Sequence, residues 1–193
     1  CNFGGKCELT DLNAQLHKRA MVFLNCAEGD QPAGASEQCK ALADRAVKEF
    51  GRIDVLFNSA YDPGSFEPIE SASMEGWRRA MDVNFFGTMH LTQACVRHMK
   101  NSGGGAIVMI ATMVEHKPLA TQAGYGASKS ALRCATKHLA LELGKYNIRV
   151  NSCHMGWMWG PSVEGYFNWQ AKATGKSQQE LIDDISARAF LFL

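Results

Sequence analysis

The sequence predicts an α/β fold built on a parallel, doubly wound sheet, and three observations carry that prediction. Short apolar runs, among them Ile53 to Phe57, Ala106 to Ile110 and Ile148 to Cys153, alternate with longer stretches of helical periodicity. Glycines stand where helices should stop, at Gly51 and Gly144. Small or polar residues follow the strand-like runs, at Asn58-Ser59-Ala60, Thr112 and Met155-Gly156-Trp157, so three strand ends are expected at one crevice, where such sheets bind ligands.

Taken in order, Lys6 to Leu12 reads as a short strand ending at Asp11-Leu12-Asn13, and Asn13 to Arg19 as a brief helix that Asp11 or Asn13 would cap. Met21 to Cys26 is the next strand, and Ala27 to Ala35 is irregular. From Ser36, the residues Cys39, Leu42, Ala43, Ala46, Val47 and Phe50 recur at helical spacing up to Gly51. Ile53 to Phe57 follows as a strand. Ser73 is placed to cap one long helix carrying Trp77, Met81, Asn84, Phe85, Thr88, Leu91 and Cys95. Gly103-Gly104-Gly105 is a turn into the Ala106 to Ile110 strand. A second long helix runs from about Tyr125 to Leu143, and Ile148 to Cys153 closes the alternation. Beyond Gly156 lies an aromatic segment with Trp157, Trp159, Pro161, Tyr166, Phe167 and Trp169. Ser177-Gln178-Gln179-Glu180 then forms a capping box opening a helix with Leu181, Ile182 and Ile185.

Composition narrows the function. Twenty basic and nineteen acidic residues leave a net charge of +1 in 193 residues, with no footprint for nucleic acid or an anionic membrane. The apolar stretch around Ala106 to Val114 is too short to span a bilayer. Seven cysteines, an odd number without Cys-x-x-Cys spacing, argue against a disulfide framework or a zinc site and suit a reducing cytoplasm. The six histidines are dispersed, and Cys153-His154 reads as a strand end, with half of a metal or thiol site as the alternative. The expectation for metal is therefore none. The chain begins at Cys1 rather than methionine and stops inside the apolar run Ala189 to Leu193, which reads as truncation at both ends.

The chemistry-bearing stretch is Tyr125-Gly126-Ala127-Ser128-Lys129. Residues four apart share a helix face, and only small residues intervene. A phenol titrates near pH 10, so acid-base work at neutral pH needs a shift of about three units, or about 4 kcal/mol. A cation about 4 Å away supplies about that much at an effective dielectric of about 20. The alternative is an ordinary solvated helix face.

In order and spacing, Asn58-Ser59-Ala60, Asn84, Thr112 and Tyr125-x-x-x-Lys129 resemble the short-chain dehydrogenase/reductase family: its Asn-Asn-Ala-Gly strand end, helical Asn, Ser and Tyr-x-x-x-Lys. The resemblance implies a Rossmann-like sheet in one incomplete domain over residues 1–193, with 157–190 as a substrate lid. It implies a nicotinamide cofactor and a small secondary alcohol or ketone as substrate. Tyr125 would exchange a proton with the substrate oxygen. Lys129 would lower the tyrosine pKa and bond the ribose, Thr112 would orient the substrate oxygen, and Asn84 would hold a water of the proton relay. Cofactor contacts would fall to Asn58, Ala60, Tyr125, Lys129, Gly156, Met158 and Asp11. A carboxylate at Asp11 would favour NAD over NADP, and the helix-cap reading of Asp11 stays open beside it. Asp30 is the nearest candidate for an adenine contact. The two long helices would pair copies into a homodimer or homotetramer, with core packing as the alternative use of their apolar stripes.

The departures carry expectations too. Tyr61 replaces the family's motif glycine, Thr112 its serine, and Met155 the proline before Gly156. The first strand and its Thr-Gly-x-x-x-Gly-x-Gly turn, which receives the pyrophosphate, are absent from the sequence. Losing that central strand is expected to open the edges of its neighbours and to weaken cofactor binding. A different class of function then competes, a catalytically silent module that binds or oligomerises through its long helices.

Overall fold

The computed structural model describes residues 21–24 and 35–190. The expected strand at Lys6 to Leu12 and helix at Asn13 to Arg19, with Asp11 and Asp30, lie outside the described residues. The chain divides into two units, Cys1–Met155 and Gly156–Leu193.

In the first unit, β1 (Met21–Leu24), β2 (Val55–Asn58), β3 (Gly105–Thr112) and β4 (Ile148–Met155) form a parallel sheet in the order β1-β2-β3-β4. Parallel neighbours need crossover connections, and helices supply them. They are α1 (Ala35–Phe50), then α2 (Met74–Met81) running through a wide turn at Asp82–Gly87 into α3 (Thr88–Asn101), then α4 (Ala123–Leu143). Strands taken in chain order with right-handed crossovers put these helices on one face. Burial agrees. Leu56, Ile107, Met109, Ile148 and Val150 are buried on that face with Leu42, Ala43 and Ala46 of α1, Leu91, Cys95 and Met99 of α3 and Leu132 of α4. The alternate residues Val55, Phe57, Ala106, Val108 and Ile110 are half-buried, and Arg149, Asn151 and Cys153 are exposed.

Several expectations are corrected. The edge of β2 is not open, because Met21–Leu24 pairs with Val55–Asn58 along its whole length. The helix from Ser73 is not uniform: residues 82–87 follow π-type hydrogen bonding, which inserts extra backbone within the turn. Ser73 holds the N-cap position but its side chain makes no capping bond; its backbone N–H donates to Glu67 Oε2 at 2.9 Å. β4 runs two residues past Cys153, since Met155 still pairs with Thr112. Gly51, with φ +81°, ends α1 as expected.

The second unit holds α5 (Pro161–Thr174) and α6 (Gln178–Phe190), separated by Gly175 at φ +72°. Periodicity did not single out α5, although Pro161 at its first turn is a start signal. Phe167 is buried among Trp157, Trp159 and Tyr166, whereas Met158, Trp159 and Trp169 are exposed. Ser177 and Glu180 form the expected capping box: Ser177 N–H donates to Glu180 Oε2 at 2.8 Å, and Glu180 N–H donates to Ser177 Oγ at 3.2 Å. No helix among the described residues is long and apolar enough to cross a membrane.

Candidate functional site

Three pieces of backbone meet beyond the ends of β2 and β3: the loop after Asn58, the turn after Thr112, and the first two turns of α4. The helical period puts Tyr125 and Lys129 on the side of α4 that faces the sheet. The Thr112 hydroxyl lies near enough to the Tyr125 phenol to act on its pKa. Thr112 Oγ1 accepts from Val114 N–H at 3.3 Å, so its single hydroxyl proton is free to point at the tyrosine. Burial raises the Tyr125 pKa above its ordinary value; the Thr112 hydroxyl pulls it down, and Tyr61 and Glu115 push it up.

Lys129 is 1% exposed. Its ammonium donates to Ile110 C=O at 2.8 Å and to Ala60 C=O at 3.4 Å, two carbonyls left over where the strands end. Burial pushes its pKa down to about 8, with Glu115 opposing. The expected lowering of the tyrosine pKa by Lys129 is therefore not found, because the ammonium is committed to carbonyls and burial dominates at the phenol. Two of the three ammonium protons are spent, which leaves one for a ribose hydroxyl.

Asn84 is fully buried inside the π turn, where three hydrogen bonds hold its side chain. Nδ2 donates to Asp62 C=O at 2.8 Å and to Ser128 Oγ at 2.9 Å, and Oδ1 accepts from Asp62 N–H at 2.8 Å. Both amide protons are used, so the side chain clamps the loop after β2 onto α4. Asn58 shares the parity of Leu56 and so points into the helix-covered face. There it donates to Thr92 Oγ1 at 3.1 Å and contacts Met109 Sδ at 3.2 Å, while its Oδ1 has no hydrogen-bond partner among the described residues. The Asn58 side chain is thus committed to the core, and only its backbone lies at the strand end. Tyr61 sets its ring edge-on to Tyr125, with centroids 5.8 Å apart and planes at 86°. Gly156 and Met158 belong to the second unit, and Asp11 lies outside the described residues.

Sequence reasoning missed Glu115, Asp62 and Ser128. Thr112-Met113-Val114-Glu115 is a capping box like the one recognised at Ser177, and it forms: Thr112 N–H donates to Glu115 Oε1 at 3.3 Å. The Glu115 side chain is fully buried, 2.8 Å from Arg133 Nε and 3.7 Å from His154 Nδ1. Asp62 carries no local signal; its carboxylate accepts from Arg79 Nε at 2.8 Å and from Gly64 N–H at 2.6 Å, which fixes the loop that Asn84 clamps. The histidines also prove less dispersed than their spacing suggests, since the His116 and His154 rings lie 5.2 Å apart.

Comparison with known proteins decides what this constellation belongs to. The family described as short chain dehydrogenase matches residues 10–170. The chain belongs to that family. Among short-chain dehydrogenases it is similar to NADPH-dependent aldehyde reductase 1 of Arabidopsis thaliana, 36% identical over 138 residues, covering 70% of this chain and 46% of the relative. It is also similar to cyclohexanol dehydrogenase of Acinetobacter, 35% identical over 160 residues, covering 80% of this chain and 64% of the relative. The crystal structure of NAD+-bound xylitol dehydrogenase superposes with TM-score 0.67 at 35% identity, covering 72% of this chain and 54% of that one. The chain spans about half the length of the curated short-chain dehydrogenases it matches.

Proposed function

We propose that this chain serves an oxidoreductase that interconverts a small secondary alcohol and a ketone with a nicotinamide cofactor, NAD in preference to NADP. The observation that carries the reading is Lys129, buried one turn along α4 from Tyr125 and donating to Ile110 C=O at 2.8 Å, with the Thr112 hydroxyl near the phenol. Tyr125 exchanges the proton with the substrate oxygen, and Thr112 orients that oxygen. Lys129 holds the ribose, and its cation supports the phenolate once the site is filled. The Oδ1 of Asn84 keeps a lone pair for a water of the relay. When bound, the nicotinamide supplies hydride transfer at the carbinol carbon. NAD preference rests on Asp11; relatives differ, one being described as NADPH-dependent and one as NAD+-bound.

The raised Tyr125 pKa gives the site a resting direction. A phenol that keeps its proton at neutral pH starts as a donor to a carbonyl oxygen, so ketone reduction falls and alcohol oxidation rises as pH climbs through the phenol's pKa. Initial rates in both directions, followed from neutral pH to well above the ordinary phenol pKa of about 10, check this. The deciding experiment is Tyr125→Phe, which keeps the ring. Turnover is expected to fall about 10²- to 10⁴-fold with the thermal midpoint unchanged. Retention of more than about a tenth of the activity would remove Tyr125 from the proton-transfer role.

A second reading, a catalytically silent module that pairs through its long helices, is favoured by the exposed Phe86 and Leu141. Nicotinamide fluorescence on titration with NADH separates the two. We also expect copies to pair through α2–α3 and α4, where Phe86 and Leu141 are exposed. The thiols of Cys95, Cys134 and Cys153, which form no disulfide among the described residues, support a cytoplasmic setting.

A further inference from the structure

The turn after Thr112 and the end of β4 bring together Glu115, His116 and His154, whose donor atoms all lie within 4.8 Å of one another. Two imidazoles and a carboxylate are a donor set for first-row transition metals. The pair at its centre is left open. His154 Nδ1 and Glu115 Oε1 face each other at 3.7 Å, too far for a hydrogen bond. On its far side His154 Nε2 lies 3.2 Å from Ser152 Oγ. When that nitrogen carries the proton and donates it to the serine, Nδ1 turns a lone pair toward the carboxylate. Two acceptors then confront each other, and a cation between them satisfies both.

We infer that Glu115, His116 and His154 form a binding site for a divalent transition metal, with zinc the ion that fits. Zinc holds nitrogen and oxygen donors at about 2.0–2.2 Å, which places them roughly 3.3–3.6 Å apart in a tetrahedral site. The present spacing closes to that by small rotations of two exposed imidazoles around a fixed, buried carboxylate. Three protein donors leave the fourth position to solvent or a small anionic ligand. Arg133 occupies the other carboxylate oxygen, Oε2, and its charge opposes a dication. The site is accordingly one of micromolar rather than nanomolar affinity. The inference does not rest on the redox reading, since its donors move no proton there, although Glu115 Oε1 also accepts from Thr112 N–H.

The test uses the whole chain with reduced thiols, stripped by chelator, and zinc chloride alone as titrant, followed by calorimetry; cobalt(II) absorption reports the ligand field. One equivalent is expected to bind in the micromolar range, and His116→Ala and His154→Ala should each weaken it at least about tenfold. His98→Ala, which removes a histidine already paired with Asp44, and Cys134→Ser with Cys153→Ser should leave it unchanged. Absence of saturable binding overturns the inference. So does full retention in the His116→Ala, His154→Ala double variant, or loss on removing the cysteines, which would put the ion on thiolates. Both histidines are exposed, so these variants are expected to fold.

Discussion

Lys129 is the residue whose environment conflicts most with its chemistry. An ammonium in the interior keeps its charge against desolvation, and the drop from 10.5 to about 8 corresponds to about 3 kcal/mol. Two carbonyl hydrogen bonds return roughly 1 kcal/mol each. Replacing it with an apolar side chain of similar length removes that burden but leaves the Ile110 and Ala60 carbonyls without this donor, at about 1–3 kcal/mol each. Lys129→Met is therefore expected to shift the thermal midpoint by no more than about 3 °C at pH 7, measured by calorimetry, and to abolish NADH binding. The pH dependence has a definite sign. Unfolded lysine keeps its proton up to 10.5 and folded Lys129 only to about 8, so between these values the unfolded state binds more protons and stability rises with pH. In wild type this contribution is complete above 10.5 and lost as pH falls through 8. In Lys129→Met the rise should vanish from a series of midpoints across that window.

At the scale of elements, the site depends on how closely α2 approaches α4. A Cβ built on Gly124 would meet the Trp77 ring at 2.9 Å, so the missing side chain is what lets the two helices close over Tyr125. Gly124→Ala is expected to cost about 1–3 kcal/mol in urea denaturation, because rigid ring atoms must move. Gly144 provides the contrast. It is helical, with φ −55°, and nothing lies within 4 Å of a Cβ there, so Gly144→Ala should gain about 0.5–1 kcal/mol. Equal effects at the two positions would mean that backbone entropy, not the crossing, governs both. The π turn at residues 82–87 works with the crossing by turning Asn84 toward Asp62 and Ser128. Nothing in Met81-Asp82-Val83-Asn84 announces it, since a π turn differs from an α turn by one hydrogen-bond register and no residue type requires it.

For the whole chain, the proposed reading asks Tyr125 and Lys129 to hold the nicotinamide ribose, and residues 1–193 contain no glycine-rich strand-to-helix turn to receive a pyrophosphate. The 193-residue chain is expected to bind NADH only in the millimolar range, read from nicotinamide fluorescence; saturation at micromolar NADH would show a phosphate site built from other groups. The sequence by itself determined what depends on local geometry. The alternation of periods gave α1, β2, β3, α4 and β4 nearly in place; glycine stopped α1 at Gly51, and the 3.6-residue turn put Tyr125 and Lys129 on one side of α4. The tertiary structure decided what depends on register and packing between distant segments. Strand parity turned the Asn58 side chain into the core, strand ends captured the Lys129 ammonium on two carbonyls, and packing of α4 and β4 brought Arg133 and His154 to Glu115. The physical reason is that backbone dihedrals fix where neighbours on one element point, whereas contacts between elements form only after the whole layer has chosen its register.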